Sequence, residues 1–135
     1  MVKVPKASRS AVIFDLDNDG DLDIVTNDFN SEPQVLISNL AQQKRIHWLK
    51  IVLKGTRSNR EGLGATVRVT AGGQTYTKYN DGKSGYFSQS ALPLYFGLGD
   101  ARKIERVEVQ WPSGQVQVRH KKLQENQTMV ISEPK

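Results

Sequence analysis

Residues 15–23 read Asp-Leu-Asp-Asn-Asp-Gly-Asp-Leu-Asp, and this stretch decides how the first part of the chain folds. Carboxylates stand at every odd position of the stretch, and Gly20 stands at its sixth position. Alternate residues of a tightly curved loop point inward, and glycine permits the sharp bend that closes such a loop. A hard dication such as Ca²⁺ binds about six to eight oxygen atoms. The stretch therefore predicts a Ca²⁺-binding loop.

The spacing also assigns the ligands. Asp15, Asp17, Asp19 and Asp23 are predicted to bind the ion through their carboxylates, and Asp21 through its backbone carbonyl, which leaves the Asp21 side chain facing water. An acidic surface turn without an ion is the alternative. Five carboxylates within nine residues repel one another strongly when no cation is present, which favours the metal-binding interpretation.

Short β-branched segments flank this loop. Residues 11–14 read Ala-Val-Ile-Phe and residues 22–25 read Leu-Asp-Ile-Val, and both are typical of strands. An EF-hand would instead require flanking helices and a bidentate glutamate at position 12 of the loop, where this chain has Thr26. We therefore expect the loop to join two strands, with Asp23 as the closing ligand.

The same residues leave one enzymatic alternative open. Residues 12–17 resemble the first motif of haloacid-dehalogenase-type phosphotransferases, in which Asp15 would be the nucleophile and Asp17 the acid/base. The Gly-Thr that normally follows in that motif is replaced by Asn18-Asp19. The motif also requires a doubly wound α/β domain, which 135 residues largely without helical periodicity do not supply.

Charge is distributed unevenly along the chain. Residues 11–43 contain seven acidic residues and no Lys or Arg, a net charge of −7, whereas the remaining residues contain all 19 basic and seven acidic residues, a net charge of +12. The basic run at residues 119–122 is short and lacks interleaved aromatic residues, so we expect no nucleic-acid partner. No apolar run is long enough to span a membrane, and the absence of cysteine excludes disulfides and thiol catalysis.

Beyond residue 43, apolar and polar residues alternate in short runs that Gly- and Pro-containing turns separate. Trp48, Phe96, Leu98 and Trp111 are predicted core residues. The predicted strands are residues 48–54, 65–71, 74–80, 92–97, 107–111, 115–119 and 128–132, with an earlier one at 34–38. The pattern predicts an all-β protein: an antiparallel β-sandwich or barrel-like domain over residues 44–135, preceded over residues 1–43 by a strand-loop-strand repeat.

Two family resemblances agree with this division. Residues 11–39 resemble an FG-GAP/VCBS repeat, a β-propeller blade whose calcium loop has the pattern that residues 15–23 match. Residues 47–116 resemble the ASPIC/UnbV domain. The second resemblance rests on these motifs: His47-Trp48-Leu49, Gly55-Thr56-Arg57-Ser58-Asn59-Arg60, Gly62-Leu63-Gly64-Ala65, Ser84-Gly85-Tyr86, Phe87-Ser88-Gln89, Phe96-Gly97-Leu98-Gly99 and Val109-Gln110-Trp111-Pro112-Ser113-Gly114.

The resemblance implies an extracellular or cell-envelope β protein, although residues 1–6 lack the apolar core of a signal peptide. It also implies several propeller repeats, so we expect this chain to be part of a larger propeller-containing chain. The family has no established catalytic residue set, so we expect no enzyme. The expected function is a non-enzymatic module for surface binding or adhesion, with structural Ca²⁺ and a protein or glycan at a cell surface or matrix as partner. A carbohydrate-binding β-sandwich with structural Ca²⁺ is the alternative.

Overall fold

The computed structural model describes residues 8–83, 86, 88–89 and 93–135. The described residues form ten strands and one helix of four residues, so the fold is all-β, as the sequence predicts. None of the helical structure in these residues is long and apolar enough to cross a membrane.

The chain divides into two compact units. The first unit comprises residues 1–45 and 82–91, and the second comprises residues 46–81 and 92–135. The predicted boundary after residue 43 lies close to this division, but the division also assigns residues 82–91 to the first unit. That residues 1–43 form an independent repeat stays a prediction.

The first unit contains one antiparallel sheet with the strand order β1-β2-β3. Its strands are β1 (Ser8–Phe14), β2 (Asp23–Asp28) and β3 (Gln34–Leu36), and the short helix α1 (Leu40–Gln43) follows them. Val12 pairs with Val25, and Val25 pairs with Val35. Residues 15–23, called the acidic loop below, connect β1 to β2 and include the first residue of β2. The prediction that the loop joins two strands is confirmed.

Burial in the first unit is unusual, because its strands bury polar side chains and expose apolar ones. The strand residues that are buried are Asp23, Thr26 and Asp28. Large apolar side chains of the unit that are 36–56% exposed are Ile13, Leu16, Ile24, Phe29, Val35, Ile37 and Leu40. Among its described residues, the unit therefore has no buried large apolar side chain to hold the sheet together.

The second unit contains two sheets. Its strands are β4 (Trp48–Lys54), β5 (Thr66–Ala71), β6 (Gln74–Tyr79), β7 (Leu94–Gly97), β8 (Ile104–Gln110), β9 (Val116–Arg119) and β10 (Gln127–Ser132). One sheet has the order β10-β4-β7 and the other β6-β5-β8-β9. Each of the seven strands predicted beyond residue 43 overlaps one of these strands.

Alternation along the strands builds one apolar core between the two sheets. Val67 and Val69 on β5 pair with Val109 and Val107 on β8, and all four side chains are buried. The three-stranded sheet contributes the other side of the same core. The buried apolar residues of this core are Leu49, Ile51, Leu53, Ala65, Val67, Val69, Ala71, Phe96, Leu98, Ile104, Val107, Val109, Trp111 and Ile131. The result is a sandwich-like arrangement of two sheets.

The strand directions correct one part of the predicted fold. The sandwich is not wholly antiparallel, because β10 pairs with β4 in parallel, with Thr128 opposite Lys50. Parallel neighbours require a crossover connection, whereas antiparallel neighbours can be joined by a tight turn. Here residues 120–126 carry the chain from β9, at the edge of one sheet, to β10, at the edge of the other. The local pattern of β10 does not specify its direction.

The position of Trp48 corrects a second prediction. Phe96, Leu98 and Trp111 are core residues, but Trp48 is only partly buried. Successive side chains of a strand point to opposite faces of a sheet, and Leu49 occupies the core face. Trp48 therefore lies on the other face, where its ring stacks with that of Tyr95 at a centroid distance of 6.3 Å.

Candidate metal centre

Three carboxylates of the acidic loop lie close together. Asp15, Asp17 and Asp19 each place one carboxylate oxygen so that these atoms lie within 4.8 Å of one another. Asp15 follows the last residue of β1, so the strand fixes the start of the loop. Three negative charges at such separations repel one another, and a shared cation removes the repulsion. Three of the five residues predicted as ligands therefore converge.

Backbone amides within the loop orient these carboxylates. The Gly20 amide donates to Asp15 Oδ2 at 3.0 Å, the Asp19 amide to Asp17 Oδ1 at 3.2 Å and the Asp21 amide to Asp19 Oδ1 at 3.0 Å. Aspartate side chains commonly accept hydrogen bonds from backbone amides two residues later, which curls the chain. The loop thus orients its own carboxylates through its own backbone.

Two residues in the loop adopt positive φ angles. Gly20 has φ 98° and Asn18 has φ 63°. Glycine has no Cβ and adopts this conformation without strain, and asparagine tolerates the left-handed region better than most residues. The glycine predicted from the sequence to form the bend does so, which is what brings Asp21 and Asp23 back toward the start of the loop.

Two oxygen atoms of the acidic loop are buried without a hydrogen-bond partner among the described residues: Asp19 Oδ2 and Asp21 Oδ1. Leaving a buried carboxylate oxygen without a partner costs free energy, more than for a neutral group. A bound cation would supply the missing partner. The chemistry of this donor set, which consists of oxygen atoms only, fits Ca²⁺.

The side chains of Asp21 and Asp23 are both buried, which the sequence did not predict for Asp21. Asp21 is 2% exposed and Asp23 is 0% exposed, so the Asp21 side chain does not face water. Asp21 Oδ2 accepts a hydrogen bond from the Ala41 amide at 2.8 Å, and Asp23 Oδ1 accepts one from the Ser38 amide at 2.8 Å. The prediction for the Asp21 side chain was wrong because the Ala41 amide that it binds lies 20 positions away in the sequence. That Asp23 is a cation ligand stays a prediction.

The phosphotransferase alternative lacks its structural basis. Asp15 and Asp17 follow β1, which belongs to an antiparallel sheet in an all-β structure. The doubly wound α/β domain that this alternative requires, with helices against a parallel sheet, does not occur among residues 8–83 and 93–135. Asp15 and Asp17 therefore contribute to the cluster as potential cation ligands.

Glu133 in the second unit is a buried, hydrogen-bonded carboxylate that the sequence did not reveal. Its Oε2 atom accepts hydrogen bonds from three consecutive amides, those of Thr56, Arg57 and Ser58, at 2.8, 2.9 and 2.7 Å. Its Oε1 atom accepts from the hydroxyls of Ser58 and Ser113. Successive backbone amides that point into one concavity form an anion-binding nest. Glu133 thereby fastens the end of β10 to the loop that follows β4.

Burial alone would raise the pKa of Glu133, but the hydrogen bonds from Ser113, Ser58 and Thr56 outweigh burial and lower the pKa from 4.5 to about 2. Each of these hydrogen bonds is stronger when the acceptor is charged, which favours the charged form. No local signal in the sequence identifies this nest, since its donors lie more than 70 residues from Glu133.

The neighbouring loop is held by side-chain bonds of Asn59 to the backbone. Its Oδ1 atom accepts from the Leu63 amide at 2.7 Å, and its Nδ2 atom donates to the Leu63 carbonyl at 2.7 Å. The Asn59 side chain thus stabilises the conformation of its own loop.

A shallow pocket of about 350 Å³ lies in the first unit. Thr26 contributes to it and is unusual, because its hydroxyl is buried and has no hydrogen-bond partner among the described residues. The described lining residues are Ser10, Ala11, Val12, Val25, Thr26, Asn27, Pro33, Ser88 and Gln89. A mixture of hydroxyl, amide and small apolar groups suits a small polar ligand.

Most of the second unit lies within the region that matches a known protein family. The family described as "ASPIC and UnbV" matches residues 55–135, more than half of the chain. The matched region begins later and extends further than the resemblance over residues 47–116. Cartilage acidic protein 1 of Homo sapiens and that of Mus musculus are each 33% identical over 107 residues. This stretch is 78% of the present chain but 16% of each relative. The resemblance of residues 11–39 to an FG-GAP/VCBS repeat stays a prediction.

Proposed function

We propose that this chain, which belongs to the ASPIC and UnbV family, is a non-enzymatic, calcium-binding β module of an extracellular or cell-envelope protein. In this proposal, residues 11–39 form an FG-GAP/VCBS-type repeat, the acidic loop binds one Ca²⁺, and the ion has a structural role. The module serves surface binding or adhesion, with a protein or glycan as partner. The similarity to two proteins named for cartilage supports the extracellular location.

The main observation behind the proposal is that Asp15, Asp17 and Asp19 each place one carboxylate oxygen within 4.8 Å of those of the other two. The buried oxygens of Asp19 and Asp21 that lack hydrogen bonds support it independently. Asp23 is expected to complete the ligand set, and the Asp21 carbonyl to add a neutral oxygen. Mg²⁺ demands near-ideal octahedral geometry and keeps several waters, whereas Ca²⁺ accepts irregular sets of six to eight oxygens, so a loop of this kind favours Ca²⁺.

Calorimetry of the whole chain tests the proposal directly. We expect one Ca²⁺ to bind with a Kd on the order of 10⁻⁴–10⁻³ M, the range of extracellular calcium modules. Mg²⁺ at the same concentration should bind more weakly. Asp17→Ala removes one converging carboxylate that the fold does not otherwise use beyond the loop, and should weaken uptake at least tenfold.

Glu32→Ala is the matched control, because Glu32 is an exposed acidic residue of the same acidic segment. It should leave uptake unchanged. Asp28 is a poorer control, since its carboxylate is buried and accepts hydrogen bonds from Ser8 and Gln34. Absence of Ca²⁺ uptake at millimolar concentration, or equal weakening by Asp17→Ala and Glu32→Ala, would contradict the proposal.

The pocket beside Thr26 favours a second candidate function, the binding of a glycan. A sugar residue offers several hydroxyls to groups such as Ser10, Asn27 and Gln89, and could provide the partner that the Thr26 hydroxyl lacks. A glycan array probed with the intact chain tests this candidate. Thr26→Val keeps the shape of the side chain and removes the hydroxyl, so it should weaken glycan binding about tenfold, whereas the exposed Thr75→Val should not. Unchanged binding by the Thr26 variant would exclude the pocket.

A further inference from the structure

The segment that leaves the first sheet is held by the acidic loop. Residues 38–43, called the exit segment here, follow β3 and include α1. The Ser38 amide donates to Asp23 Oδ1 and the Ala41 amide donates to Asp21 Oδ2, both at 2.8 Å. Two carboxylates of the predicted calcium loop therefore bind the backbone of a segment that lies well beyond that loop.

The other side-chain hydrogen bonds of the exit segment are local: Asn39 Oδ1 accepts from Gln43 Nε2 at 2.7 Å, and Ser38 Oγ accepts from the Leu40 amide at 3.3 Å. Helix α1 has four residues, no buried residue and no capping hydrogen bond from the side chain of Asn39. Helices much shorter than about 12 residues are marginal in water, and the first amides of any helix lack partners within it. The Asp21 carboxylate supplies the acceptor for one of those amides. The order of the exit segment thus depends on where the acidic loop places Asp21 and Asp23.

Asp23 links the acidic loop directly to the exit segment. While its Oδ1 atom accepts from Ser38, its Oδ2 atom accepts from the Leu16 amide at 2.8 Å, near the start of the acidic loop. A displacement of the first half of the loop therefore displaces the acceptor of the Ser38 amide as well. Mutual repulsion of the Asp15, Asp17 and Asp19 carboxylates provides such a displacement whenever their charges are not neutralised.

We infer that Asp21 and Asp23 are positioning residues that transmit occupancy of the calcium site to the exit segment. The inference rests on the proposed Ca²⁺ site and adds a regulatory consequence. Bound Ca²⁺ neutralises the three converging carboxylates, closes the loop and sets both carboxylate–amide hydrogen bonds. Without the ion the loop opens and residues 38–43 lose their order. By thermodynamic reciprocity, an ordered exit segment also strengthens Ca²⁺ binding.

Hydrogen exchange of the intact chain, with and without Ca²⁺, tests the coupling. At a Ca²⁺ concentration about ten times Kd, the amides of Ser38 and Ala41 should exchange roughly tenfold more slowly than in chelator. Amides of the second unit, such as that of Ile51, serve as the internal reference and should not respond. Calorimetry on the same sample reports Ca²⁺ uptake separately.

Two variants of one residue separate positioning from ligation. Asp21→Ala removes the acceptor of the Ala41 amide but keeps the backbone carbonyl at position 21, so it should abolish the ion-dependent protection of Ala41 even at Ca²⁺ concentrations that calorimetry shows to saturate the variant. Asp21→Asn keeps an oxygen that can accept from Ala41 and should restore the protection. Glu32→Ala should behave as the unaltered chain.

The outcomes distinguish this inference from the proposed function. Ca²⁺ uptake with no change in exchange at Ser38 and Ala41 would overturn the coupling and leave the calcium site standing. Persistent ion-dependent protection of Ala41 in Asp21→Ala would also overturn it. Absence of any uptake by the unaltered chain would overturn both.

Discussion

The two units of this chain solve the problem of holding a small sheet together in opposite ways. Among its described residues, the second unit buries fourteen apolar side chains in a core between two sheets. The first unit leaves Ile13, Ile24 and Val35 exposed and buries Asp21, Asp23 and Asp28. These buried carboxylates accept hydrogen bonds from backbone amides or from polar side chains of other segments, and so connect those segments.

Because they are stabilised differently, the two units should respond to different perturbations. Apolar burial is insensitive to metal ions and to mild changes of pH, because the buried groups carry no charge. A sheet held by carboxylates depends on the charge state and neutralisation of those groups. Treatments that weaken one unit should therefore leave the other largely intact, and each treatment can be assigned an expected size.

The largest effect should come from opening the apolar core of the second unit. Phe96→Ala removes a buried ring, and such changes cost about 3–5 kcal/mol. Urea unfolding followed by tryptophan fluorescence measures the loss, since Trp48 and Trp111 both lie in this unit. Tyr79→Ala is the matched control, because Tyr79 is exposed on β6, and it should change stability by less than about 0.5 kcal/mol. Equal effects would mean that the core does not lie where these side chains meet.

The core of the second unit was largely predictable from sequence, for a physical reason. Side chains alternate across a strand with a period of two, so the alternation of Leu49, Ile51 and Val67 with their sequence neighbours predicts that these residues face the core. The same alternation places Trp48 on the face opposite Leu49, although its large aromatic side chain was predicted to lie in the core. The direction of β10 was not predictable, because it depends on which strand lies alongside, and the partner of β10 is β4, more than 70 residues earlier.

The next largest effect should come from Glu133, the second unit's buried carboxylate. Its folded-state pKa of about 2 lies below the ordinary value of 4.5. A depressed pKa means that the unfolded chain binds the proton more readily, so the stabilisation is fully present above about pH 4.5 and is lost as the pH falls toward 2. Glu133→Gln should lower the urea midpoint at neutral pH and remove this part of the acid sensitivity.

Glu105→Gln provides the control for that titration, because Glu105 is exposed on β8. The unfolding midpoint of each variant is measured between pH 2 and pH 7. The difference between unaltered chain and Glu133→Gln should shrink as the pH falls through this window, whereas Glu105→Gln should track the unaltered chain throughout. A constant difference at every pH would show that the charge on Glu133 does not stabilise the fold.

Removal of Ca²⁺ should have a smaller effect, and one confined to the first unit. An ion present at tenfold Kd stabilises the state that binds it by about 1.4 kcal/mol. Chelation should therefore speed amide exchange of Val12 and Val25 about tenfold, while Val67 and Val109 in the second unit remain protected. Uniform loss of protection across both units would contradict the division of roles. Unchanged exchange in both would show that any bound ion is not structural.

The acidic loop itself could be predicted further than its surroundings. The odd spacing of Asp15, Asp17 and Asp19 within a tight loop is enough to predict that their carboxylates converge. The contacts of the Asp21 and Asp23 side chains could not be predicted from spacing. Asp21 accepts from the Ala41 amide and Asp23 from the Ser38 amide, and only the folded chain brings these amides near. Local spacing predicts local convergence, and long-range hydrogen bonds require the tertiary structure.

The smallest effect should come from the exposed ion pair between Arg106 and Glu108 on the outer face of the second unit. Like Glu133, Glu108 is a hydrogen-bonded carboxylate, so the two differ mainly in burial. Glu108 accepts hydrogen bonds from Arg68 at 3.0 Å and from Arg106, as Glu133 accepts from its nest. The Arg106 side chain is 46% exposed, however, and exposed pairs contribute between about 0 and 1 kcal/mol because water competes for both charges. Arg106→Ala should therefore change the free energy of unfolding by less than about 0.5 kcal/mol at moderate salt. The effect should fade further in high salt, where exposed charges are screened. Urea unfolding at two ionic strengths measures both quantities. A large, salt-independent loss of unfolding free energy in Arg106→Ala would mean that exposed carboxylate contacts stabilise this chain as much as buried ones. Burial would then not explain the larger effects expected at Glu133 and the acidic loop.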